Sequence, residues 1–219
     1  MGKSSKYRQN LVVWPFVRYR AAIPICRIGA APSRRERAAM FQNPISPPKF
    51  PPVVVISLVD SDVRRAHMIE QLAAADVPFQ FFDAKRISDY PSTYDASERL
   101  RIYGNHLTLG EVGCYDSHYR VWEALANSND DIWCVLEDDI ELTPGFSQCL
   151  ASTLSVTVPW GIMRLKEGGA AGAWRVGQLP GGGILRDHRK QPGGAHAYLI
   201  RRAAALVLLA YARRTIHPV

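Results

Sequence analysis

The chain has 219 residues, 47% hydrophobic and 21% charged, which is ordinary globular usage and excludes a fibrous or collagen-like protein. Its net charge of +7 does not mark a nucleic-acid binder, because the excess is local: residues 1–50 hold ten Lys/Arg against one acid, Glu36. The remainder carries 17 basic and 19 acidic residues, so the body is close to neutral and no nucleic-acid partner is expected.

Residues 1–52 read as a basic, proline-rich, disordered extension. Residues 11–31 are apolar in part, but Arg18, Arg20, Arg27, Pro15 and Pro24 interrupt them, which argues against a cleaved signal. No apolar run reaches the roughly 18–20 residues of a spanning helix. The expectation is a cytoplasmic protein whose basic tail can make peripheral contact with an anionic membrane surface. Four scattered cysteines without a Cys-x-x-Cys pair agree with a reducing compartment, and Cys134 and Cys149 read as core residues. Pro44, Pro47, Pro48, Pro51 and Pro52 mark a linker, because proline neither donates to a ladder nor continues a helix.

The folded domain is expected over residues 53–219. Residues 53–58 are a continuous β-branched apolar run, the pattern of a strand buried on both faces. Asp60, Ser61 and Asp62 offer N-caps for a helix over 63–75, with Val63, Ala66, Ile69, Leu72 and Ala73 at three-to-four spacing. A strand over 77–82 completes a unit with the length of a right-handed βαβ crossover.

Residues 88–105 read as a loop or short helical excursion, and 111–126 as a helix. A second buried strand is expected over 132–136, with further strands over 161–165 and 196–200 and a closing helix over 201–214. The glycine-rich stretch 168–192 reads as a loop. Alternating strands and helices predict an α/β fold, a mostly parallel sheet flanked by helices.

The main chemical signal is the strand Ile132-Trp133-Cys134-Val135-Leu136 running directly into Glu137, Asp138 and Asp139. Burying an uncompensated carboxylate costs several kcal/mol, so such a cluster needs water, cations or a metal. In open α/β sheets ligands bind beyond the carboxyl ends of the strands, where these acids fall. Mg²⁺ and Mn²⁺ take oxygen ligands, commonly one or two carboxylates with substrate phosphates. If the extended geometry persists, Glu137, Asp139 and Glu141 point one way and Asp138 the other.

The ordered set of Val53–Leu58 with Arg64-Arg65, Phe79–Phe82 with Asp83-Ala84, Leu107-Thr108-x-Gly110-Glu111-x-Gly113-Cys114-x-x-Ser117-His118 and Leu136-Glu137-Asp138-Asp139 resembles glycosyltransferase family 25. This is the lipooligosaccharide galactosyltransferase group, to which collagen galactosyltransferases are related. The resemblance covers about residues 53–147, and Ala197-Tyr198-Leu199-Ile200 resembles a later family segment. It implies a GT-A-like (Rossmann-like) fold and a metal-dependent inverting transferase. Such an enzyme moves a hexose, galactose most often, from a UDP-sugar to a lipooligosaccharide or other glycan acceptor at the cytoplasmic face of the inner membrane. It implies Mn²⁺ or Mg²⁺ at Asp139 with Asp138, and Glu137 and Asp138 serving the ribose and the metal's water shell.

The remaining candidates have weaker patterns. Arg64 or Arg65 can reach a phosphate or uracil edge, or pair with Asp60 or Asp62. Ser117 is a donor-binding candidate, and Glu111 and His118 are the catalytic candidates, with Glu111, Cys114 and His118 on one helix face. Ser57 stands where the family tends to carry Asn, and an Asp that follows Pro-Val in the family falls beyond Val219. The alternative expectation is therefore a truncated, non-catalytic remnant that binds a donor or partner.

Overall fold

The structure is a computed structural model and describes residues 9–13, 49–167, 173–180, 183–188 and 194–212. In chain order its elements are β1 (Gln9–Val13), β2 (Val53–Leu58), α1 (Asp62–Ala74), β3 (Gln80–Ala84), α2 (Ala96–Tyr103) and α3 (Leu109–Asn127). They continue with β4 (Ile132–Glu137), α4 (Phe146–Thr153), β5 (Ile162–Glu167), β6 (Ala173–Gln178), β7 (Ile184–His188), β8 (Ala197–Arg201) and α5 (Arg202–Tyr211). The sheet order is β3-β2-β4-β8-β5-β1-β7-β6. The expected α/β class is present, with a parallel block β3-β2-β4 and antiparallel pairing of β8 with both β4 and β5.

Strand alternation explains why β2 and β4 are continuously apolar. Val53, Val55, Cys134 and Leu136 point to one face, where α1 contributes Met68 and Leu72 and α4 contributes Cys149 and Leu150. Val54, Ile56, Trp133 and Val135 point to the other, against Val121, Trp122 and Leu125 of α3 and Ala205 of α5. Helices cover both faces, so the middle positions of these strands are buried, and polar residues, Ser57 and Glu137, occur only near the carboxyl ends, where they have partners.

Two local expectations are corrected. The strand expected over 77–82 lies at Gln80–Ala84, because Val77 and Phe79 pack against the core without strand pairing, and exposed Pro78 has no N–H to donate. The stretch read as a glycine-rich loop contains the antiparallel hairpin β6–β7. The helix α4 had no forecast; it is only 8 residues long and starts at Gly145, whose φ of 87° is the left-handed conformation that glycine adopts without a Cβ penalty. Within the N-terminal extension, Gln9–Val13 forms β1 beside β5 and β7. The rest of the basic tail, Cys26 included, lies outside the described residues.

Candidate active site

Strands β2 and β4 are parallel neighbours with Ile56 opposite Glu137, so their carboxyl ends emerge side by side. That register brings Ser57 to Asp138. The Ser57 hydroxyl donates to Asp138 Oδ2 at 2.7 Å, and Arg64 Nη1 donates to Oδ1 at 3.1 Å. Asp138 is only 8% exposed, a burial tolerable for a carboxylate because both oxygens have donors, one of them charged. Arg64 also lies 3.6 Å from Asp139, whose side chain is half exposed.

The two adjacent arginines have separate jobs. Arg65 donates to the Leu58 carbonyl at 3.0 Å and the Ser57 carbonyl at 3.1 Å, pairs with Asp83 at 2.5 Å and lies over the Phe81 ring. It ties the end of β2 to β3 and is absent from the cavity wall. Arg64 remains more than half exposed at the cavity.

Glu137, the last residue of β4, points the opposite way from Asp138. Its Oε2 accepts from His196 Nδ1 at 2.7 Å and its Oε1 from His118 Nε2 at 3.0 Å. Burial alone would raise this carboxyl; the hydrogen bonds and charge of His118 and His196 outweigh it and bring the pKa down to about 2. His118 is fully buried, and its Nδ1 lies 2.9 Å from the Tyr198 hydroxyl, which also accepts from Trp122 Nε1 at 3.0 Å. Cys114 Sγ is 3.5 Å from Glu137 Oε1; burial first, then the Glu137 charge, push this thiol up to about 12, so it is protonated at neutral pH.

Of these groups Ser57, Arg64, Cys114, His118, Glu137, Asp138 and Asp139 line a cavity of about 430 Å³, and His196, Tyr198 and Trp122 stand outside its lining. The lining takes Glu137, Asp138 and Asp139 from the end of β4, Lys85 and Arg86 from the segment after β3, and Gly110, Gly113 and Ser117 from α3. Three cations (Arg64, Lys85, Arg86) and three carboxylates thus share one lining, with Arg64 paired to Asp138 and Asp139 and Arg86 to Asp60, a charge arrangement suited to a ligand carrying both anionic and cation-binding groups. One set of donors can hold a divalent ion: atoms of Glu137, Asp139 and His196 lie within 4.8 Å of one another.

The family model described as glycosyltransferase family 25 (LPS biosynthesis protein) matches residues 50–169, more than half of the chain. The chain belongs to glycosyltransferase family 25. Relatives include a glycosyltransferase 25 family member of Anopheles gambiae, 34% identical over 43% of this chain and 17% of the relative. A lipooligosaccharide biosynthesis protein of Haemophilus influenzae is 30% identical over 44% of this chain and 36% of its own length. A procollagen galactosyltransferase of Xenopus laevis is 31% identical over 48% and 18% respectively. The chain spans about a third or less of the length of these family 25 relatives.

The family 25 match runs through β5 and ends at residue 169, yet the site draws on residues beyond it. His196 and Tyr198 come from the start of β8, which pairs antiparallel with β4 so that Ala197 faces Leu136. Sequence reasoning missed His196, Lys85 and Arg86 as site residues. The signal for the last two was their place directly after a parallel strand neighbouring β2; His196 had none beyond preceding a buried strand.

Among the sequence candidates, Arg64, Ser117, His118, Glu137, Asp138 and Asp139 meet at the cavity. Arg65 and Glu111 do not. Glu111 sits in the first turn of α3, where its Oε2 accepts from the Thr108 backbone N–H at 2.8 Å while Thr108 Oγ1 accepts from the Glu111 N–H at 3.2 Å, a reciprocal capping box. Those bonds lower the Glu111 carboxyl and engage it in holding the helix start. The Ser117 hydroxyl donates to the Gly113 carbonyl one turn back. Glu141 leaves the cluster for His67 on α1, at 2.9 Å.

Proposed function

We propose that the domain binds a UDP-sugar and transfers its hexose, galactose in the first instance, with inversion to a lipooligosaccharide or other glycan acceptor. The reading is supported by family membership, by relatives named for lipooligosaccharide biosynthesis and procollagen galactosyl transfer, and above all by one cavity bounded by both the acidic strand end and a cationic wall. Arg64, Lys85 and Arg86 neutralise the diphosphate. Asp138, held by Ser57 and Arg64, is positioned to accept from a ribose hydroxyl or a metal-bound water.

The donor set fits Mn²⁺ or Mg²⁺: Asp139 contributes an accessible carboxylate, Glu137 a second one that remains ionised, and His196 an exposed imidazole, which favours Mn²⁺ of the two. Bound there, the ion supplies Lewis-acid stabilisation of the departing diphosphate. His118 has both ring nitrogens engaged within the protein and serves to orient Glu137. Among the described residues no helix is long and apolar enough to cross a membrane, and contact with the inner-membrane face through the basic tail belongs to this proposal.

The test is UDP release from UDP-galactose with Mn²⁺ and a lipooligosaccharide acceptor. Asp139→Ala is expected to lower turnover by a factor of about 10² or more while UDP still binds through the cationic wall. Unchanged, metal-dependent turnover in that variant overturns the assignment.

A further inference from the structure

The Glu137 carboxylate has two differently equipped sides. Oε2 belongs with His196 and Asp139, an oxygen-rich set. Oε1 meets a softer pair: His118 Nε2 at 3.0 Å and Cys114 Sγ at 3.5 Å. Cys114 and His118 are four residues apart on α3, so one helix face presents thiol and imidazole together to the end of β4. Ligand atoms of all three residues lie within 4.8 Å of one another.

We propose that Cys114, His118 and Glu137 form a zinc site beside the hard-metal site, and that zinc there blocks the cavity. The binding part stands on these three side chains alone; the inhibitory consequence rests on the transferase reading above.

The spacing suits tetrahedral zinc. With Zn–S of about 2.3 Å and Zn–N and Zn–O of about 2.0–2.1 Å, sulfur and oxygen ligands lie about 3.5 Å apart and nitrogen and oxygen about 3.3 Å. The Cys114–Glu137 separation already has that value, and the His118–Glu137 pair needs to open by only a few tenths of an ångström. Thiolate ligation selects zinc over manganese and magnesium, which prefer oxygen. Three protein ligands leave a fourth position on the cavity side for water or a phosphate oxygen.

The outer partners are in place. Tyr198 holds the opposite nitrogen of His118, and Trp122 holds Tyr198, so the ring cannot turn away. On binding, the Cys114 thiol releases its proton to solvent, and His118 takes the tautomer with Nδ1–H donating to the Tyr198 oxygen. The Tyr198 hydroxyl proton then loses its acceptor, so the site holds zinc less tightly than a preformed structural one.

Cobalt(II) is the probe. Titrating the metal-free full chain with Co²⁺ is expected to produce a thiolate-to-cobalt charge-transfer band that Zn²⁺ bleaches, that Cys114→Ser abolishes and that Asp139→Ala retains. A missing band, or one that survives in Cys114→Ser, overturns the proposal. In the wild-type chain, zinc is also expected to protect Cys114 from iodoacetamide, read by peptide mass; equal alkylation with and without zinc overturns it too. Zinc inhibition of Mn²⁺-supported transfer should weaken at least about tenfold in Cys114→Ser. Equal inhibition there removes the inhibitory role. Absence of any transfer refutes the transferase reading and leaves the cobalt band as the measure of the zinc site.

Discussion

Ser57 and Asp138 are 81 residues apart in the chain, and the Ser57 hydroxyl donates to Asp138 Oδ2 at 2.7 Å inside the protein. The parallel pairing of β2 with β4 creates this contact, and it lets one carboxylate of the acidic cluster be buried beside the cavity rather than left in solvent.

Removing that donor should be felt in both stability and binding. Ser57→Ala leaves one buried Asp138 oxygen without a partner, so unfolding free energy in urea should fall by about 1–3 kcal/mol. UDP affinity should fall as well, because Asp138 loses its fixed orientation. Calorimetric titration with UDP on protein shown to be folded measures the second effect separately.

The neighbouring arginines should separate in ligand binding. Arg64→Ala is expected to weaken UDP binding by about tenfold or more, the loss of one charge-assisted contact, and also to lower the melting temperature, because buried Asp138 loses its charged donor. Arg65→Ala removes the links from β2 to Asp83 and Phe81, so it should lower the melting temperature first. Reversed outcomes would mean that Arg65 faces the ligand.

Glu111→Ala should behave as a capping variant. Losing the capping box at Thr108 is expected to cost about 1 kcal/mol or less at this exposed helix end, leaving turnover per folded molecule unchanged. Thermal unfolding alongside a transfer assay checks both parts.

The acid limb of the stability curve should carry a Glu137 signature. Its pKa is about 2 in the folded protein against an ordinary 4.5, so the folded state favours the ionised form. That stabilisation is complete above the unfolded value and is lost as the pH falls from about 4.5 through about 2. Denaturation of the metal-free protein across that window should show a shallower decline for Glu137→Gln than for wild type.

Much of the scaffold was legible because it obeys local rules. β2 and β4 read as strands from their unbroken apolar runs, a consequence of α1 and α4 on one face and α3 and α5 on the other. The α3 start was legible only in part: Thr108 and Glu111 carry a capping-box spacing, and reading Glu111 through the family resemblance obscured that simpler use. The hairpin β6–β7 escaped because Ala173–Gln178 is mostly exposed and shows no apolar alternation.

The sequence by itself determined the α/β class, the family and the placing of three carboxylates at the end of a buried strand, since each follows from neighbouring residues and their period. Only the tertiary structure decided which side chains those carboxylates meet. His196 enters from β8, Lys85 and Arg86 from the end of β3, and Arg65 turns inward to backbone carbonyls while Arg64 stays at the cavity. Such pairings depend on strand order and register, which bring distant segments within hydrogen-bond reach and leave no periodic trace in the chain.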